Sequence, residues 1–214
     1  MGLFGHPTPF QTVLEPVDPP IGLNIDFCGP NVETLHMKHN VASLTGDKFV
    51  VNNEAGEVVL SCRGQAFTLI DKKVFKDSKG NPLFTIRNKI AIPKKQVIEA
   101  MDGTELCRVN KKFLVTSFRM VASFTNMALT PKASSVDPEE IELECKGDWL
   151  GRSATITIVG TDEVLGEINR CFLDVKDVAV GKQTYAARIA PGVDIIFMAA
   201  LCVCFDEAYN EGFN

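Results

Sequence analysis

Residues 195–205 read Ile-Ile-Phe-Met-Ala-Ala-Leu-Cys-Val-Cys-Phe, eleven positions without a polar side chain, set between Asp194 and the pair Asp206-Glu207. Ala199-Ala200 and the length favour helix over strand, and Asp194 is placed to N-cap it, which predicts a helix over about 194–208. A helix that is apolar on every face must be buried on every face. A bilayer or the inside of a β-barrel would do this. Eleven residues rise about 16 Å as helix, against about 30 Å of bilayer hydrocarbon. Spanning would also draw the neighbouring charges into lipid at roughly 2.5–3.5 kcal/mol each. Packing Ile195, Phe197, Met198, Leu201, Phe205 and their larger neighbours against strands contributes on the order of 10–20 kcal/mol gross. The helix therefore belongs inside the protein, as a structural core with no transmembrane span.

Upstream, the chain reads as β from about Val41 onward. Phe49-Val50-Val51 runs through Asn53-Glu54-Ala55-Gly56 into Val58-Val59-Leu60. The same pattern recurs around Gly80, Gly103 and Gly160, where glycine supplies the positive φ of a hairpin turn. Gly56, Gly80 and Gly103 are spaced 24 and 23 residues apart, about one hairpin per repeat. Further strands are expected at 67–70, 113–118, 141–145, 171–175 and 185–189. A dozen strands or so must close their edges, as a barrel or a two-sheet sandwich. The stretch 131–138 fits this β pattern least well. Six of the eleven prolines fall within residues 1–30. Those residues are expected to form an extended arm with few buried contacts, outside the sheet. The expected organisation is an arm and lead-in over 1–40, one β domain over 41–210 and a tail over 211–214.

The composition is that of a globular chain, 45% hydrophobic and 23% charged over 214 residues, and its net charge of −5 speaks against a general nucleic-acid binder. Seven widely spaced cysteines, mostly in apolar runs, suit buried reduced thiols of a cytoplasmic protein. The first ten residues lack the basic and apolar regions of a secretory signal, and His6 stands where a myristoylation site expects Ser or Thr. No nucleophile elbow, phosphate loop or dinucleotide fingerprint occurs, so neither an enzyme nor a cofactor is expected. His36 and His39 lack companion ligands, so no metal is expected either. Trp149 with nearby Arg152 suits packing over a barrel end better than a partner-binding spot.

Charge is distributed unevenly. Residues 71–119 hold 12 basic and 5 acidic residues, whereas acidic residues predominate on both sides. The anionic-ligand candidates in this island are Lys72, Lys73, Lys76, Arg87, Lys89, Lys94, Lys95, Lys111 and Lys112. The competing reading is that strand lysines keep sheet edges soluble.

Hairpin repeats followed by one apolar C-terminal helix resemble the tubby-like superfamily. Within it, four stretches resemble the LURP-one-related family: 49–56, 74–87 around Asp77-Ser78-Lys79-Gly80, Lys146-Gly147-Asp148-Trp149-Leu150-Gly151-Arg152-Ser153, and 193–206. The resemblance covers about 41–210 and implies a closed antiparallel barrel of about twelve strands around a central helix. Tubby-like relatives bind membrane phosphoinositides, and phospholipid scramblases form a related branch. The function expected from this resemblance is a non-enzymatic, cytoplasmic binding module for phosphoinositides or another anionic partner, with peripheral plasma-membrane attachment as an option. A protein–protein scaffold is the alternative. Lipid scrambling is opposed by the short helix and by the lack of a calcium loop.

Overall fold

A computed structural model describes residues 10, 12–40, 48–64, 72–89, 95–113, 118–129, 139–147, 153–169 and 182–211. Twelve strands follow one another: β1 Glu33–Asn40, β2 Lys48–Asn52, β3 Val58–Gly64, β4 Lys72–Asp77, β5 Pro82–Lys89, β6 Lys95–Ala100, β7 Glu105–Phe113, β8 Phe118–Thr125, β9 Glu140–Gly147, β10 Ser153–Ile158, β11 Val164–Asn169 and β12 Lys182–Ile189. Each pairs antiparallel with its neighbours in sequence, and β1 pairs antiparallel with β12, which closes the barrel. An even strand number allows this, because only then do the first and last strands of a meander run in opposite directions. The turn glycines Gly56, Gly80, Gly103 and Gly160 all adopt positive φ, as their hairpins require.

The expected fold class holds: a mainly β, closed antiparallel barrel with one C-terminal helix, α1, over Ile195–Glu211. Period-2 alternation turns Leu35, Met37, Phe49, Leu60, Phe75 and Ile98 inward, all fully buried. From Ile196 to Glu207 every α1 residue is buried, including Phe197, Met198, Leu201 and Phe205, while Ile195 is partly buried against the core. The Phe197 ring lies 4.6 Å from that of Phe124, and Tyr185 Oη donates to the Cys202 carbonyl at 3.3 Å. Glycines in the wall make room for the helix. A Cβ on Gly166 would stand 3.0 Å from Met198, and one on Gly147 would stand 2.9 Å from Phe205.

Two expectations are corrected. The barrel begins at Glu33 and not near Val41. Strand β1, Glu-Thr-Leu-His-Met-Lys-His-Asn, shows only two apolar residues in alternation, so its β pattern is faint in sequence, yet it supplies the closing ladder. The proline-rich arm, over its described residues, is also part of the packed structure. Leu14, Val17 and Ile21 join the core. Val17 and Ile21 donate backbone bonds to Pro191 and Gly192, and Asp194 donates one back to Ile21. Proline removes donors at single positions, but the remaining N–H groups of the arm find partners in the segment leading into the helix. Contact is so close that a Cβ on Gly192 would stand 2.2 Å from the Val17 carbonyl oxygen.

Asp194 joins arm to helix. Its Oδ1 accepts from the N–H groups of Ile196 and Phe197 at 2.9 Å, capping α1. Its Oδ2 accepts from Leu23 and Asn24 at 3.1 and 3.0 Å. Burial raises the pKa of this carboxyl, although the four N–H donors pull it down. The hairpins carrying the turn glycines, the arm and the start of α1 thus share one end of the barrel, here called the arm end. The far end holds the last buried turn of α1. Strand expectations at 67–70 and 171–175, the stretches 114–117 and 131–138, and Trp149 and Arg152 lie outside the described residues.

Candidate anion-binding surface

The basic island divides into three groups. Alternation decides the first. Lys73 lies on the Phe75 face of β4 and Lys111 on the Val109 face of β7, so both turn inward and are buried. Lys73 Nζ forms an ion pair with Glu207 of α1, and Gln96 Nε2 donates to the other Glu207 oxygen at 3.0 Å. Lys111 stands close enough to Cys204 for its charge to lower that thiol's pKa, against burial and Glu207, which push it well up. Lys73 and Lys111 were expected on an outer ligand surface; they instead belong to the barrel interior. Removing one partner of such a pair typically costs about 3–5 kcal/mol, because it strands a buried charge. The Lys73–Glu207 contact latches the end of the helix to the wall.

The second group is arginine. Arg87 pairs with Glu99, Arg119 with Glu144, and Arg108 with Glu105 at 2.5 Å, all on the outer face. The third group is the outward lysines. Lys76 is exposed near the Asp77–Asn81 turn, at the arm end. Lys72 and Lys95 begin β4 and β6 at the far end, and both are half-buried at their stems. Neither makes an ion pair within 4.0 Å among the described residues. By strand position, Lys89 and Lys112 also fall at the far end. Lys94 lies outside the described residues. A cleft of about 400 Å³ opens beside Lys95, lined also by Asn110, the otherwise buried Lys111, Arg119, Val121, Glu142 and Val159.

The sequence reading missed Lys38 and Lys146, which are exposed near the far ends of β1 and β9. A signal for the far-end lysines was present. Lys48, Lys72 and Lys95 each stand eight residues before a turn glycine, at 56, 80 and 103, so each begins its strand at the end opposite the turn.

Other chemistry finds less support here. His36 and His39 are three residues apart on β1, an odd separation that puts the two positions on opposite faces. Among the described residues, no three His, Cys, Asp or Glu side chains are grouped to hold a metal. Cys62, Cys107, Cys145, Cys202 and Cys204 are buried thiols that form no disulfide. Burial and the charge of Asp206 push the Cys202 thiol up to about 12; burial and Asp194 do the same to Cys28. Thiols so far from ionising make poor nucleophiles. No described helix is long and apolar enough to cross a membrane.

Comparison with known proteins converges on one group. A family model described as LURP-one-related matches residues 33–206, the interval from the first strand to the last buried turn of α1. The chain is 26% identical over 210 residues to Protein LURP-one-related 15 of Arabidopsis thaliana, covering 98% of this chain and 92% of that one. It is 22% identical over 192 residues to Protein LURP-one-related 10 of the same plant, covering 87% and 95%. An X-ray structure of a protein from Arabidopsis thaliana superposes with a TM-score of 0.58 at 21% identity, covering 86% of this chain and 96% of that one. At that identity the structural likeness speaks for the fold alone.

Proposed function

The chain belongs to the LURP-one-related family, and from that premise we propose that it is a non-enzymatic binding module for membrane phosphoinositides or another anionic partner. The observation that carries this reading is the state of Lys72 and Lys95. Both leave the barrel at the same end, on strands separated only by β5, while the arginines around them are already neutralised by Glu99, Glu105 and Glu144. Two outward ammonium groups without counter-ions among the described residues, one beside a cleft large enough for a headgroup, leave charge available to a ligand. The buried, protonated thiols and the internally paired Lys73–Glu207 favour binding over covalent chemistry. The attachment this implies is peripheral, from the cytoplasmic side.

Vesicle pelleting across phosphoinositides at matched total charge tests this reading. Binding to at least one phosphoinositide is expected, reduced by charge reversal of Lys94 and Lys95 with an unchanged melting temperature. A headgroup preference at equal charge would mark the cleft as a specific site. Failure to bind any anionic vesicle at low salt would end the lipid reading. A protein–protein scaffold would then take its place, favoured by Ile25, Val58, Met101 and Met127, large apolar side chains exposed at the arm end.

A further inference from the structure

We propose that the whole far end of the barrel, and not one patch on its side, is the docking face, and that its partner is the surface of an anionic bilayer met end-on. This rests on the anionic-ligand reading above and gives that reading a face and an orientation. Two related observations carry it.

The first is segregation of charge by strand end. Nine of the twelve strands place a Lys or Arg in their outermost two positions at the far end, and none places an Asp or Glu there. At the arm end the same positions hold Glu33, Asp77, Glu99, Glu105 and Glu140 against Lys76 and Arg188. The far-end connecting segments add four basic and five acidic residues in sequence, which leaves the sign unchanged. Glu144, the wall carboxylate nearest to the far-end lysines among the described residues, is engaged by Arg119. Asp206 and Glu207 of the helix are buried within the barrel. A strand of eight residues, tilted as barrel strands are, sets the two ends about 20 Å apart. That exceeds two Debye lengths at physiological salt, so the acidic end does not cancel the basic one at a surface.

The second observation is cross-strand register. Lys48 stands opposite Arg63, Lys72 opposite Arg87, Lys89 opposite Lys95, Lys112 opposite Arg119, and Arg119 opposite Lys146. Like charges directly opposite one another destabilise a sheet, and all five pairs lie at the far end. Glu144 and Glu99 relieve Arg119 and Arg87, which leaves their lysine neighbours without relief from those carboxylates. The acidic counterpart at the arm end, Glu99 opposite Glu105, is offset by Arg87 and Arg108. Positive charge repeated at a local cost to the sheet fits a face that meets negative charge from outside.

The shape of the partner follows from circumference. The described outward lysines Lys38, Lys72, Lys95 and Lys146 sit on β1, β4, β6 and β9, three, two, three and four strands apart around the closed ring. A rod-like polyanion would touch one side of that ring. A plane touches all of it.

The test uses phosphatidylcholine vesicles with and without about one-third phosphatidylserine, and the full chain carrying Lys38→Glu, Lys72→Glu, Lys95→Glu or Lys146→Glu one at a time. Each reversal is expected to lower partition onto the anionic vesicles at least about five-fold, since each lysine near such a surface contributes that factor. Lys76→Glu and Lys79→Glu, at the arm end, are expected to change it less than about two-fold. Amine acetylation of the native protein on vesicles gives a reading that does not depend on variant folding, with the four far-end lysines protected and Lys76 and Lys79 labelled. Losses confined to Lys72 and Lys95 would overturn end-on docking and leave the anionic-ligand reading standing. Equal losses at both ends would reduce the effect to net charge and overturn it too, as would tighter binding of duplex DNA through the same four lysines. If the native protein pellets with no anionic vesicle, phosphoinositide-containing ones included, the underlying reading itself falls.

Discussion

Asp194 takes four backbone N–H groups on two oxygens, two from its own helix and two from the arm about 170 residues earlier. Asparagine offers one acceptor oxygen and turns an N–H₂ toward the other two donors, leaving buried N–H groups without a partner. Asp194→Asn is therefore expected to lose about 1–3 kcal/mol, measured by urea unfolding; a loss under half a kcal/mol would show that the cap and anchor contribute little. The capping role was legible in sequence from an Asp just before an apolar run. The anchoring role was not, because no local pattern marks two donors so distant along the chain. Lys72 and Lys73 teach the converse lesson. They are adjacent and chemically identical, yet only Lys73 shares the inward face with Phe75, and that alternation was already visible in the sequence.

Among the elements, α1 was the easiest to read and the arm the hardest. An eleven-residue apolar run has few destinations, so its burial followed from length and flanking charge alone. The arm carries its information in backbone hydrogen bonds and three scattered side chains, Leu14, Val17 and Ile21, which no periodicity announces. Burial of those three contributes about 5–9 kcal/mol gross, offset in part by the entropy of ordering the arm. Deleting residues 1–30 is expected to lower the melting temperature by more than about 10 °C or to abolish soluble expression, at about 2–4 °C per kcal/mol for a domain of this size. A truncated protein melting within about 3 °C of the full chain would show the arm to be dispensable. Strand β1 escaped notice for a related reason. Its two inward residues, Leu35 and Met37, make a short signal, and its importance comes from closing the ring with β12.

For the molecule as a whole, the net charge of −5 says less than its arrangement. The basic island at 71–119 was legible as a composition shift, but composition could not separate inward lysines from outward ones or see that the arginines are paired. Nor could it add Lys38 and Lys146, which join the far-end ring only once the barrel closes. Register converts a linear excess of lysine into one basic end and one acidic end. The measurement that bears on this most directly is partition of the unmodified protein onto phosphatidylcholine–phosphatidylserine vesicles as salt rises from about 50 to about 500 mM, over which the Debye length shortens by about three-fold. A basic end facing the bilayer requires partition to fall at least ten-fold across that range, with no binding to phosphatidylcholine alone at any salt. Partition that ignores salt, or that is equal on neutral and anionic vesicles, would contradict it.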